Sequence, residues 1–272
     1  MKTARALAAL LCTLGAPLAV ADWTPPANPD PRAIHNEART DRVEQRYDDA
    51  LAKHLWLHRE AAKVQPSWGA ARLSFALGDW AHLAAKHPPA MAALTAARDA
   101  AEDDVRAGRN APQAFADFAA INVELDEPGR TVALFSWVEA RDPALARQMS
   151  RSAQHALIAS GDYKTAFKYM DANASMERVV RVHMAMVRAL PKNADDPAAK
   201  PARDVFARDA GRIVALLAAN GRAAHAKVIA EQALEVSAAP DVKTVIDAAL
   251  KGTFPQDSLS REERQALRQA LP

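Results

Sequence analysis

Cysteine is almost missing from this chain of 272 residues, and the one that occurs, Cys12, lies in an apolar run near the start. The expectation is that this run is removed, which leaves no disulfide, no thiolate metal site and no cysteine nucleophile. Lipidation at Cys12 is excluded by the bulky Leu11 before it and by the short apolar stretch upstream. Charge of one sign is missing too. The 35 basic and 33 acidic residues become equal once Lys2 and Arg5 are set aside, with no acid in residues 1–21. That balance argues against nucleic acid or an anionic membrane as the main partner. No later apolar run reaches the roughly 20 residues of a membrane span. Alternating β-branched stretches, a G-x-S-x-G elbow, a phosphate-cradling glycine loop and a C-x-x-C-H haem site are all absent. No catalytic residue and no cofactor is assigned on this ground.

What is present begins with an export signal. Lys2 and Arg5 precede an apolar run from Ala6 to Val20, and Ala19-Val20-Ala21 offers the small-x-small pattern of a cleavage site. Residues 1–21 are therefore expected to be a cleavable signal peptide. The product would be exported, periplasmic if the source is a Gram-negative bacterium and otherwise secreted, with no membrane insertion after cleavage. A proline-rich extended leader is expected over 22–35, because "DWTPPANPDPRAI" carries four prolines that remove donors and fix φ.

Alanine-rich helical patterning follows almost to the end. Val43, Tyr47, Ala50, His54, Leu57 and Ala61 recur at three- and four-residue steps as one buried stripe. Trp68, Leu73, Ala76, Leu77, Trp80 and Leu83 mark the next helix. Further helices are expected at about 89–107, 112–125, 129–140, 144–160, 162–173, 176–190, 203–219, 222–237 and 240–251. A last one at about 261–270 opens on Ser260 with Glu263 completing a capping box. Short connections imply that consecutive helices are antiparallel neighbours. The stretch "PKNADDPAAKPA", 191–202, reads as a polar linker between a helical region at 36–190 and a C-terminal region at 203–272 that ends in the capping helix.

Within this pattern two segments look alike. "GDYKTAFKYM" has Gly161 at a turn, Tyr163 opening a helix and Ala166 at a close-packing position; "GRAAHAKVIAEQAL" has Gly221, Ala226 and Ala233 in the same roles. "EPGRTVALF" places Ala133 33 residues before Ala166, and Tyr47 precedes Trp80 by the same interval, whereas Ala166 and Ala226 are 60 apart. On these residues the chain resembles the tetratricopeptide-repeat family over most of 40–250. The resemblance implies a right-handed superhelix of antiparallel helix pairs, an α-solenoid; the alternative fold is an irregular all-α bundle. In that family the first helix of each pair lines a concave groove, so the resemblance puts Gln148, Arg151, His155 and Arg208 on the groove. Arg151 and Arg208 would meet a carboxylate or an acidic peptide end.

Two further clusters carry candidate chemistry. His54 and His58 share a helix face and are weak zinc candidates, since no third ligand is identifiable and Leu55 stands where a metalloprotease would have its glutamate. Trp56, Trp68, Trp80 and Phe75 are dense in aromatic surface; Trp80 and Phe75 are assigned to the core, and Trp56 is the possible exposed contact. The leading functional expectation is a non-enzymatic scaffold or adaptor that binds a partner protein or peptide in the cell envelope. The alternatives are a metal-binding protein and a cell-wall enzyme. Soluble lytic transglycosylases have similar helical superhelices, but their Glu-Ser motif does not occur in this chain. Nothing in the sequence fixes the oligomeric state.

Overall fold

A computed structural model describes residues 23–190 and 196–256. The expected signal peptide and the capping helix at 261–270 lie outside these residues. Among them the chain is all-α, with no strand. The elements are α1 (Pro31–Val43), α2 (Tyr47–Arg59), α3 (Ala61–Val64), α4 (Trp68–Ala71), α5 (Phe75–Ala84), α6 (Pro88–Arg106) and α7 (Ala111–Leu125). They continue with α8 (Pro128–Glu139), α9 (Pro143–Ala159), α10 (Tyr163–Lys168), α11 (Ala172–Arg188), α12 (Asp196–Ala219), α13 (Ala223–Val236) and α14 (Pro240–Ala249).

Proline and aspartate write the helix starts. Proline stands in the first two positions of α1, α6, α7, α8, α9 and α14, where its missing N–H leaves no bond unmade. Asp30, Asp142, Asp162 and Asp171 accept backbone N–H bonds as N-caps of α1, α9, α10 and α11. This corrects the leader: its last proline, Pro31, opens α1, so the helical part begins before residue 36. Asp171 also splits the helix expected at 162–173. It accepts from Ala174 N at 3.0 Å, so α10 stops at Lys168 and α11 begins at Ala172.

The helix ends share one turn. Gly161 N–H bonds to Ile158 O at 3.0 Å while Asp162 N–H bonds to Leu157 O at 2.8 Å; Gly221 and Arg222 repeat this on Ala218 and Leu217 at 3.0 and 2.9 Å. These paired bonds are Schellman caps, and both glycines are left-handed, at φ 75° and 71°. The same pair of bonds recurs at Gly108, Gly252, Gln45 and Asp126. The cap at Gln45 ends α1 and separates it from α2, which corrects the stripe: Val43 is 51% exposed, whereas Ala50, His54, Leu57 and Ala61 are buried on α2 and α3.

Many sequential helices pack together, α1 on α2, α6 on α7 and α8 on α9, while α7 also packs on α9, α2 on α5, and α12 on α10, α11, α13 and α14. Leu77, Trp80, Leu83, Leu94 and Ile121 fill one core; Phe115, Phe118, Phe135 and Met149 a second; Phe206, Val214, Leu217, Ile229, Val242 and Ile246 a third. The linker expected at 191–202 is corrected over its second part, because α12 begins at Asp196 and runs through Pro201. Burial of Ala202 and Phe206 holds this end of α12 down, and Ala202 O lies 3.2 Å from the Nδ1 of His183 on α11. That packing offsets the bond which Pro201 removes.

Candidate functional site

The concave face with the most chemistry lies where α9, α11 and α12 meet. Two adjoining hollows, ≈ 170 and ≈ 210 Å³, share Arg151 and Gln154 of α9 and Ser175 and Arg178 of α11 as a common wall. His155 and Ile158 continue the α9 side, and Asp209 and Arg212 close the second hollow from α12. Each side chain is placed by the helix period. Ala146, Met149, Ala153 and Ala156 bury one side of α9, which turns Arg151, Gln154 and His155 the other way. On α12, Ala210 and Val214 are buried, and Asp209 and Arg212 flank them.

Positive charge is concentrated here, with Arg151 and Arg178 lining both hollows and Arg212 the second. Burial, and next the neighbouring guanidinium of Arg151, lower the pKa of Arg178; Arg181 adds to the repulsion and Asp209 opposes it. Arg178 donates to Ser175 Oγ at 3.3 Å. Arg151 makes no ion pair among the described residues. Among the described residues Asp209 is the only acid lining the second hollow, and its Oδ1 already lies 3.7 Å from Arg212 Nη1 and 3.4 Å from Arg208 Nε. Part-buried guanidinium groups that repel one another are stabilised by an incoming oxyanion.

Of the residues that the resemblance put on a groove, Arg151 lines both hollows and His155 the second. Gln148 is exposed on α9 but lines neither hollow, and Arg208 stands at the edge, tied to Asp209. Gln154, Ser175, Arg178 and Arg212 were missed. Ala133 does not occupy a close-packing position: it is exposed on α8, where Leu134 and Phe135 point inward, whereas Ala166 and Ala226 are both buried as the fourth residues of α10 and α13.

The histidine pair is arranged around a tryptophan. His54 stacks on Trp80 at 6.5 Å and 9°, and His58 meets the same ring edge-on at 5.6 Å. Desolvation lowers the His54 pKa to about 3 and that of His58 to about 4, so both rings are neutral at pH 7. No group of three or more His, Cys, Asp or Glu among the described residues is placed to hold a metal ion. Trp56 is half-buried, edge-on to Trp23 at 6.4 Å. Phe75 departs from its core assignment: it is 55% exposed. The chain breaks between α4 and α5 at residues 72–74, so a single helical wheel across Trp68–Leu83 places Phe75 wrongly.

Comparison of the chain with protein-family models, curated proteins and solved structures finds no significant match.

Proposed function

We propose that this chain is an exported, non-enzymatic scaffold that holds a partner protein or peptide in the groove between α9, α11 and α12, with its helices stacked in the manner of tetratricopeptide repeats. The observation that carries the reading is the convergence of Arg151 of α9 and Arg178 of α11 on one concave face, close enough for Arg151 to lower the Arg178 pKa, where Asp171 and Asp209 are the acids among the described residues. Such a face favours an acidic segment of the partner, whose carboxylates meet guanidinium groups already positioned by packed helices. The repeated Schellman cap before α10 and α13, with Ala166 and Ala226 buried at equal depth in the following helix, supports the stacking.

The test is fluorescence anisotropy with a short labelled oligoglutamate peptide, and an oligoglutamine peptide of equal length as the control. Saturable binding of the acidic peptide is expected, weakening as salt is raised. Arg151→Glu combined with Arg178→Glu should reduce it at least tenfold with the thermal melt unchanged. Equal affinity for the two peptides, or binding undisturbed in the double variant, would overturn the assignment.

A further inference from the structure

A second and larger cleft, ≈ 970 Å³, lies among α1, α4 and α5, and shares no lining residue with the arginine groove. Arg32 and Arg39 stand on its α1 side, Gln65 and Ser67 on the turn before α4, and Phe75 and Gly78 on α5. We propose that this cleft binds a small organic carboxylate carrying an apolar ring, with the ring on Phe75 and the carboxylate on Arg39 and Arg32.

Three observations lead to this ligand. The first is the exposed ring. Phe75 is held by His35, 5.2 Å away and tilted, and by Trp68, edge-on at 5.6 Å, yet it lines the cleft and is 55% exposed. A phenyl group fixed by two aromatic neighbours and still uncovered is a platform for a second ring.

Charge is the second. Asp79 is the acid of the cleft, and it is already surrounded. Its Oδ2 lies 2.8 Å from His35 Nε2 and 3.6 Å from Arg39 Nε, and its Oδ1 lies 3.6 Å from His82 Nδ1. Desolvation raises the Asp79 pKa, but the close His35 and His82 rings and the charge of Arg39 outweigh it and hold the carboxyl well below the usual range. Asp79 therefore stays ionised and is shared among three partners. Arg39 keeps 57% of its side chain exposed, and Arg32 makes no ion pair among the described residues. Among the described lining residues two arginines stand against one acid, and this excess of positive charge favours an anion.

The third observation is Gly78. It sits inside α5, where glycine is a poor helix former. Packing does not require it, because a Cβ there would meet only Glu124 Oε1, at 3.9 Å. What the missing side chain does is leave the floor of the cleft open beside Phe75. The volume matches the sites that proteins use for small molecules, roughly 300–1,000 Å³.

The experiment is calorimetric titration of the full chain with N-acetyl-L-phenylalanine. N-acetyl-L-phenylalaninamide keeps the ring and removes the carboxylate; N-acetylglycine keeps the carboxylate and removes the ring. Saturable binding of the first compound is expected, about tenfold weaker for each of the others. Phe75→Ala and Arg39→Gln should each weaken it about tenfold, and Arg151→Glu, in the other groove, should leave it unchanged. Phe75 and Arg39 are both exposed, and thermal melts confirm that each variant folds. No saturable binding at millimolar concentration, equal binding of acid and amide, or full affinity in Phe75→Ala would each overturn the proposal. Loss of binding in Arg151→Glu alone would overturn it as well, by moving the site to the arginine groove.

Discussion

Gly211 and Gly78 are both glycines inside helices, and alanine at the two positions should move stability in opposite directions. Intrinsic preference favours the change at both by about 0.8–1 kcal/mol. At Gly78 little opposes that gain, and Gly78→Ala should stabilise the protein by about 0.5–1 kcal/mol. At Gly211 a Cβ would fall 2.7 Å from Pro255 Cγ and 2.9 Å from Val245 Cγ1, closer than carbon atoms approach without displacement. Neither neighbour can yield by a simple rotation. One is a ring, and the other is β-branched and stiff at χ1. Overpacking of this kind costs about 1–3 kcal/mol, and two rigid contacts place it in the upper part of that range. The net effect of Gly211→Ala is then a loss of about 1–2 kcal/mol, carried by the packing of α12 against α14 and the segment after it. Urea denaturation measures it as a lower midpoint at constant slope. In a Pro255→Ala background the penalty should shrink by about 1 kcal/mol, because one of the two obstacles is gone. A Gly211→Ala variant as stable as the parent would refute this account of the close approach, and so would a penalty indifferent to Pro255.

Gln45 holds a left-handed conformation at φ 61° in an exposed cap, so Gln45→Gly should raise stability by about 1 kcal/mol in the same urea assay, and a decrease would count against strain at this turn. Asp41 is buried with Lys53 as its partner and also pairs with Arg46; Asp41→Asn leaves the buried ammonium only the longer contact to Glu37, at 3.8 Å, and should cost about 2–3 kcal/mol, whereas a loss below about 1 kcal/mol would mean that the pair is effectively solvated. His54 and His58 titrate near 3 and 4 when folded against 6.5 when unfolded, so the unfolded chain takes up protons first and stability falls as pH drops from about 6.5 toward 4. Asp79, depressed below its ordinary 3.8, adds a loss only below that value, so His54→Phe should flatten the decline between pH 6.5 and 4; an unchanged slope would assign it to other groups.

The all-α character was legible because alanine-rich segments with a helical period are separated by proline and glycine, and both act through the backbone in ways that do not depend on tertiary context. Boundaries were less legible for the same reason. Pro31 and Pro201 were read as breakers, but a proline opens a helix freely, and burial of Ala202 and Phe206 carries α12 past one inside it. The caps at Gly161 and Gly221 were visible as glycines. Those at Gln45 and Asp126 were not, since these residues reach the left-handed region only under the pull of the helices on either side. With Gln45 unseen, α1 and α2 merged into one stripe, and Val43 was drawn inside.

The repeat resemblance pointed to part of the proposed site and had nothing to say of the rest. It supplied a groove position for α9, which yields Arg151 and His155, but it had no template for the interval between Ala166 and Ala226, where α11 lies. On α12 it selected Arg208 rather than Arg212, one turn apart. A local charge count would have found Arg178, though not Arg212 on the nearly balanced α12. As bounded by the structure, α9 carries Arg147 and Arg151 with no acid, and α11 carries Arg178, Arg181 and Arg188 against Glu177 alone. These two helices provide the wall common to both hollows. The near-zero charge of the whole chain is thus the sum of regions that differ in sign. It argues against a partner that covers the entire surface, such as a nucleic acid backbone, but it does not bear on an acidic segment that touches one face within a Debye length of about 8–10 Å. At that range the arginines of α9 and α11 would be felt and the acids elsewhere screened, so under the proposed function local imbalance rather than net charge would set the partner.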